Sequence, residues 1–182
     1  EKNMTNGTKV QKRDGRIESL DLDKMHLMVE EACDGLAGVS ASQVEMKSGI
    51  QFYDGITTAE IQEILIRAAS DLIDLDHPNY QFVAARLLLF ALRKQLYGKM
   101  RELPNLETHI LSCTNIDVYD KEIFNKYSKE EIEKVNSYID HSRDFLFTYA
   151  GLRQVVDKYL VQDRSAGGVY ETPQFMYIMI AL

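Results

Sequence analysis

Four cations and one hydroxyl stand out against an acidic background. Lys12 and Arg13 directly precede an Asp14-Gly15 turn signal, Lys24 falls at the start of an expected helix, Lys94 near the end of another, and Thr58 opens a third. The first turn of a helix carries backbone N–H groups without intrahelical partners and the positive end of the helix dipole, which together seat an anion. With the cationic side chains added, the chemistry suggested is polyphosphate binding. Glu18 and Asp21 bracket the same hairpin-to-helix junction and supply acceptors for the amino group of an adenine. Lys and Arg beside a turn are equally the composition of a solvated surface, so spacing alone leaves both readings open.

No catalytic grouping accompanies these residues. His26, His77, His109 and His141 are scattered, outside any HExxH pattern and away from a Ser or Cys nucleophile, and are expected as surface or capping histidines. Glu30-Glu31 and Glu130-Glu131 fall on expected helices, where adjacent side chains point apart, and read as solvated surface. Neither GxxxxGK[ST] nor GxGxxG occurs, and Gly167-Gly168 reads as a turn. Cys33 and Cys113 lie far apart without a CxxC, so no zinc site or disulfide framework is expected and a reducing cytoplasm fits best. The site prediction therefore contains no catalytic residue and no metal ligand.

Around these residues the chain is an ordinary globular mixture. It has 182 residues, 45% hydrophobic and 27% charged, with 10 Gly and 3 Pro, enough to bury a core. The net charge of −7 repels phosphate polymers, which argues against a general nucleic-acid binder. The apolar runs Leu87 to Leu92 and Phe175 to Leu182 are far shorter than the roughly 20 residues of a membrane span, and no signal sequence is expected. Glu1 stands where an initiator Met would, and the chain stops inside an apolar run; both features predict the N-terminal piece of a longer protein.

The elements that must position the cations follow from periodicity and punctuation. Residues 1–8 are polar and expected to be loose. Val10 to Arg13 and Arg16 to Ser19 read as a hairpin about a two-residue Asp-Gly turn, too small to stand without helices beneath it. A first helix is expected from Asp21–Asp23 to Gly35, carrying Met25, Met28, Val29 and Ala32, and a second from Ser42 to about Phe52. Thr57-Thr58-Ala59-Glu60 has the form of a capping box, followed by Ile61, Leu65, Ala68 and Leu72 at helical steps. Residues 79–97 form a fourth helix, apolar on nearly every side from Phe82 to Leu92 and hence central, with Arg86 expected to pair with an acid. Gly98 to Asn105 reads as a boundary. Beyond it, helices are expected at 105–113, about 129–139 (opened by a capping box at Ser128 to Glu131) and about 144–159, then two short extended pieces around Gly167-Gly168 and a last helix from Thr172-Pro173.

Lys12-Arg13-Asp14-Gly15, Leu22-Asp23-Lys24, Ile50-Gln-Phe-Tyr-Asp-Gly-Ile-Thr-Thr58, Tyr80-Gln-Phe-Val-Ala-Ala-Arg-Leu87 and Leu92-Arg-Lys94 occur in this order. The set resembles the N-terminal ATP-cone of class I ribonucleotide reductase large subunits, with the bacterial or phage class Ia branch as the nearest fit. The remainder is also similar to that family: Arg143-Asp144, Phe147-Thr-Tyr149, Lys158-Tyr-Leu-Val161 and Tyr170-Glu-Thr-Pro-Gln-Phe175 resemble the segment leading into its catalytic barrel. The resemblance implies a mainly α fold, in which a helical bundle capped by a small β-sheet (residues 9–98) precedes the helical entry segment (99–182) of a ten-stranded α/β barrel. It implies ATP as activator or dATP as inhibitor, accompanied by Mg2+, a radical-generating small subunit as partner, a homodimer of the full-length large subunit, and a cytoplasmic enzyme without nucleic-acid or membrane partners.

Carried over by residue, Lys12, Arg13, Lys24, Thr58 and Lys94 match phosphate-side positions, Glu18 and Asp21 positions around the base, and Met25 and Ile61 apolar lining positions. Two residues depart from the best-known bacterial pattern. Asp21 stands where that pattern has an Asn, and Gln62 where it has a His near the sugar and phosphates, so a muted dATP switch is expected. The family's reaction cysteines lie in the barrel and match neither Cys33 nor Cys113; catalytic, substrate and specificity-effector sites are expected beyond residue 182. The alternatives are the nucleotide-sensing module of a transcriptional repressor, which would need a zinc ribbon and a basic surface, and a helical interaction module that binds no ligand.

Overall fold

The computed structural model describes residues 7–49, 51–163, 165 and 167–182. The chain divides into two compact units, one of residues 1–91 with 147–152, the other of 92–146 with 153–182. The expectation of a loose 1–8 lies mostly outside the described residues. Helix accounts for 58% of the structure.

In the first unit, β1 (Lys9–Gln11) pairs antiparallel with β2 (Ile17–Ser19). The connection differs from the expected two-residue turn. Gly15 N donates to Lys12 O and Lys12 N to Arg16 O, at 2.9 and 2.8 Å, which makes a three-residue loop with Gly15 at φ +85°. A type I turn followed by a left-handed residue needs only one positive φ, so Asp14 keeps an ordinary conformation and binds Arg16 instead.

Helix α1 (Leu22–Cys33) is capped by Asp21 and buries Val29 and Ala32. Helix α2 (Ala41–Gly49) is shorter than expected, and Ile50 lies outside the described residues. A strand absent from the sequence reading, β3 (Ile56–Thr57), then runs parallel to β1, giving the order β2-β1-β3. Helix α3 (Thr58–Ser70) follows without a break and buries Ile61, Gln62, Leu65, Ile66, Ala68 and Ala69.

Helix α4 (Tyr80–Tyr97) is buried along most of its middle, as its all-round apolar sequence requires. Polar ties hold it in register. The Tyr80 hydroxyl donates to Gln43 Oε1 at 2.9 Å and accepts from Ser40 N at 3.0 Å. Arg86 Nη1 donates to the carbonyl oxygens of Ala32 and Asp34, at 3.2 and 2.7 Å, at the negative end of α1.

The second unit holds α5 (Leu106–Asn115), a short α6 (Ile123–Lys126) that was not foreseen, and α7 (Lys129–Asn136) with its capping box at Ser128 and Glu131. The single helix expected over 144–159 is instead a 3-10 turn (His141–Leu146), α8 (Tyr149–Gln154) and a π turn (Val155–Tyr159). Residues 147–152 belong to the first unit and their flanks to the second, so tertiary contacts divide what local periodicity would join. β4 (Gln162–Asp163) and β5 (Gly168–Val169) form an antiparallel pair before α9 (Pro173–Ala181).

Leu106, Ile110, Ile132 and Phe175 centre the second core. His109 corrects the expectation of surface or capping histidines: it is 2% exposed and stacks on Phe175, 4.1 Å between centroids. Its two nitrogens face the Tyr97 and Tyr119 hydroxyls at 3.3 and 3.1 Å, and burial pushes its pKa down to about 4, which keeps it neutral. Cys113 is buried beside it and Cys33 is half-buried; both are free thiols.

Candidate functional site

The register of the small sheet decides which of the candidate residues meet. Val10 lies opposite Ile56 and Gln11 opposite Thr57 in parallel strands. The chains leave β1 and β3 in the same direction, so Lys12 and Arg13 enter the hairpin loop beside Thr58 entering the first turn of α3. Lys9 anchors the arrangement from the other end: its N donates to Asp54 Oδ1 at 2.7 Å and its O accepts from Gly55 N at 2.9 Å.

The start of α3 is built locally. Thr57 Oγ1 accepts from Glu60 N at 3.1 Å, and Glu60 Oε2 accepts from Thr57 N at 2.8 Å and from the Thr57 hydroxyl at 2.7 Å. The Tyr53 hydroxyl donates to Glu60 Oε1 at 2.9 Å. These bonds, from the Thr57 hydroxyl first, hold the Glu60 carboxyl below its ordinary range. The box satisfies the N–H groups of the N-cap Thr57 and of Glu60, the third residue of the helix, and leaves the N–H groups of Thr58 and Ala59, which by position have no acceptor within the helix. Thr57, Glu60 and Tyr53 are supports that were not among the candidate residues, although the T-x-x-E signal marked the first two.

Gln62 lies one turn further along α3 on the same face as Thr58. It is 7% exposed; its Oε1 accepts from Arg13 Nη2 at 3.4 Å, and its Nε2 has no hydrogen-bond partner. Partial burial lowers the Arg13 pKa from its usual value. Lys12 Nζ lies 3.3 Å from Glu18 Oε2, and Glu18 Oε1 3.6 Å from Arg16 Nη1. Exposed pairs of this kind contribute at most about 1 kcal/mol, so a phosphate can take Lys12 from Glu18 with little loss.

The remaining candidates are less directly joined. Asp21 caps α1, its Oδ1 accepting from Lys24 N at 2.9 Å, so one of the oxygens assigned to base reading is engaged in holding the helix start. Lys24 is exposed and Met25 half-buried in that same turn, and Ile61 is buried in α3 beside Gln62. Lys94 is half-buried in the last turn of α4, within the second unit. The contacts thus bring together Lys12 with Glu18 and Arg13 with Gln62, with Thr58 alongside.

Residues 8–95 match the family described as the ATP cone domain. This part of the chain is an ATP cone. ATP cones are nucleotide-binding allosteric modules, and the helical bundle with a three-stranded sheet is in keeping with that assignment. Curated relatives extend the likeness beyond the cone. Ribonucleoside-diphosphate reductase 1 subunit alpha of Escherichia coli is 47% identical over 178 residues, covering 98% of this chain and 23% of the relative. The corresponding alpha subunits of Haemophilus influenzae and Enterobacteria phage T4 are 44% and 42% identical, over 98% and 94% of this chain and 23% and 22% of their own lengths. The chain therefore spans under a quarter of the length of these relatives and is homologous to their N-terminal region. Neither the repressor nor the ligand-free interaction module finds support in these matches.

Among the described residues, no group of three or more His, Cys, Asp or Glu is placed to hold a metal ion. No helix there is long and apolar enough to cross a membrane.

Proposed function

We propose that residues 9–98 are the overall-activity site of a ribonucleoside-diphosphate reductase large chain, binding ATP or dATP, and that 99–182 open its catalytic domain. The parallel register of Gln11 against Thr57 carries the reading, because it sets two hairpin cations beside an open helix start. The orphan amide of Gln62 in the same place is the kind of buried donor a polar ligand satisfies. Lys12, Arg13, Lys24, Thr58 and Lys94 would face the triphosphate; Glu18, Asp21, Met25, Ile61 and Gln62 would face the nucleoside. Mg2+ would arrive on the phosphate oxygens, its usual mode.

The full-length protein would convert ribonucleotides to deoxyribonucleotides in the cytoplasm, as a homodimer working with a radical-generating small subunit. The names of the relatives support that reading. Calorimetric titration of the 182-residue chain with ATP and with dATP tests the site. Saturable, salt-sensitive binding of both is expected, and absence of binding at millimolar nucleotide would refute the assignment.

A further inference from the structure

Glu171 is 1% exposed, and its two oxygens have separate partners: Oε1 accepts from Val161 N at 2.9 Å and Oε2 from the Tyr119 hydroxyl. A hydroxyl has one hydrogen, so toward His109, whose Nε2 lies 3.1 Å away, Tyr119 can only accept. The ring, kept neutral by burial, therefore carries its hydrogen on Nε2. Nδ1 is then bare and accepts from the Tyr97 hydroxyl at 3.3 Å. Every hydrogen along Tyr97, His109, Tyr119 and Glu171 points toward the carboxylate. The two ends of the chain reach different spaces, both within the second unit: Tyr97 and His109 line a cavity of about 400 Å³, Tyr119 and Glu171 another of about 410 Å³.

The geometry points to a proton wire through the second unit that joins these two cavities and stores its proton on Glu171. One proton enters at Tyr97 from the first cavity, the Tyr97 hydrogen moves to Nδ1, the Nε2 hydrogen to the Tyr119 oxygen, and the Tyr119 hydrogen to Oε2. The sum is one proton gained, a neutral Glu171 and a His109 ring that has exchanged its tautomer. Val161 N keeps Oε1 as its acceptor, so the new O–H of Glu171 donates to Tyr119 and the chain is reversed. The reversal also offers the Tyr97 hydroxyl a fresh acceptor, Thr172 Oγ1, which is fully buried beside it and has no hydrogen-bond partner. Burial raises the Glu171 carboxyl above its ordinary range, which favours uptake. The other ionisable groups around the chain do not compete. Burial holds the Cys113 thiol up at about 11 and His141 down at about 4, and Arg93 keeps its charge. Lys99 and Glu102 at the first cavity, and Asp120, Glu122 and Lys126 at the second, are exposed and screened.

Long-range 1H–15N spectra of the His109 ring in the 182-residue chain read which nitrogen bears the hydrogen. At pH 7.5 it should be Nε2. On acidification the Nδ1–H tautomer should appear with a midpoint above the ordinary Glu value of 4.5, before the ring gains its second proton at about 4. Glu171→Gln should show the Nδ1–H tautomer already at pH 7.5, because Val161 N takes the amide oxygen and leaves the amide N–H to donate to Tyr119. In a Tyr119→Phe background, Glu171→Gln should leave the tautomer unchanged. An Nδ1–H ring at pH 7.5 in the unmodified chain, passage from Nε2–H straight to the doubly protonated ring, or an unaltered tautomer in Glu171→Gln would each overturn the wire. The titration needs no substitution, so it decides even where a variant does not fold.

Discussion

Asp144 should destabilise the second unit at neutral pH, and replacing it with its uncharged isostere should reverse this. Its side chain is 1% exposed and faces Arg93, itself 5% exposed, but Nη2 and Oδ2 are 3.6 Å apart, longer than a hydrogen bond. Burial outweighs the attraction of Arg93 and pushes the carboxyl up to about 6. From an ordinary value near 3.8 that is about two pKa units, or on the order of 3 kcal/mol as an upper bound. The folded carboxyl holds its proton more tightly than the unfolded one, so its stabilising contribution is complete below about pH 4 and is lost as the pH rises through about 6. Asp144→Asn should therefore exceed the unmodified chain by about 2–3 kcal/mol at pH 7.5 and equal it near pH 4. Arg93 keeps the carbonyl of His141 at 2.8 Å and the ring of Phe145 at 5.2 Å. His109 and His141, both pushed by burial down to about 4, act in the opposite sense: their contribution is present above about 6.5 and is lost as the pH falls through 4. They do so in both proteins, so the difference isolates Asp144. Urea unfolding followed by tyrosine near-UV circular dichroism at several pH values measures it. A variant less stable than the parent at pH 7.5 would show that breaking the buried pair costs more than the charge itself, and would refute the reasoning.

Other outcomes follow from the cone. Thr58→Ala and Lys94→Ala should each weaken ATP binding by about 1.5–3 kcal/mol, while Lys129→Ala, whose exposed ammonium lies 3.6 Å from Glu107, should leave titrations unchanged; equal effects at all three would mean the phosphate site is misplaced. Thr57→Ala removes the acceptor for Glu60 N and should lower stability by about 1 kcal/mol in thermal unfolding. If the full-length protein is the proposed reductase, then assayed with a small subunit it should be inhibited by dATP weakly or not at all, and inhibition should strengthen in Gln62→His. A switch between nucleotides differing by one hydroxyl needs contacts that differ between two protein states, so near-total inhibition of the unmodified enzyme at modest dATP would sink this idea. The 182-residue chain alone should reduce no ribonucleotide, and turnover by a pure sample would overturn the domain assignment.

What the sequence made legible was local. The box at Thr57 and Glu60, the start of α1 beside Asp21 and the buried middle of α4 each depend on residues within a few positions of one another, and each is found where expected. β3 was missed because two residues carry no periodicity, and only their pairing with a distant strand makes them one. His109 was misjudged for the same reason: Phe175, Tyr97 and Tyr119, which make its burial tolerable, come from separate parts of the chain. Within the candidate site, the cations could be gathered from spacing, but the contact between Arg13 and Gln62 joins residues 49 positions apart and had no local signal.

The splice between β1 and β3 also bears on when the site exists. Lys9 and Asp54 are 45 positions apart, and closing a loop of that length costs on the order of 3 kcal/mol in chain entropy, against only two paired residues and the flanking bonds at Lys9. Such a seam is among the last parts of a domain to zip and the first to fray. A ligand that bridges the hairpin loop and the start of α3 acts as a clasp across it. The amide proton of Gly55, donated to Lys9 O across this seam, would then exchange with solvent on a clock set by nucleotide concentration, while those in the middle of α4 would not.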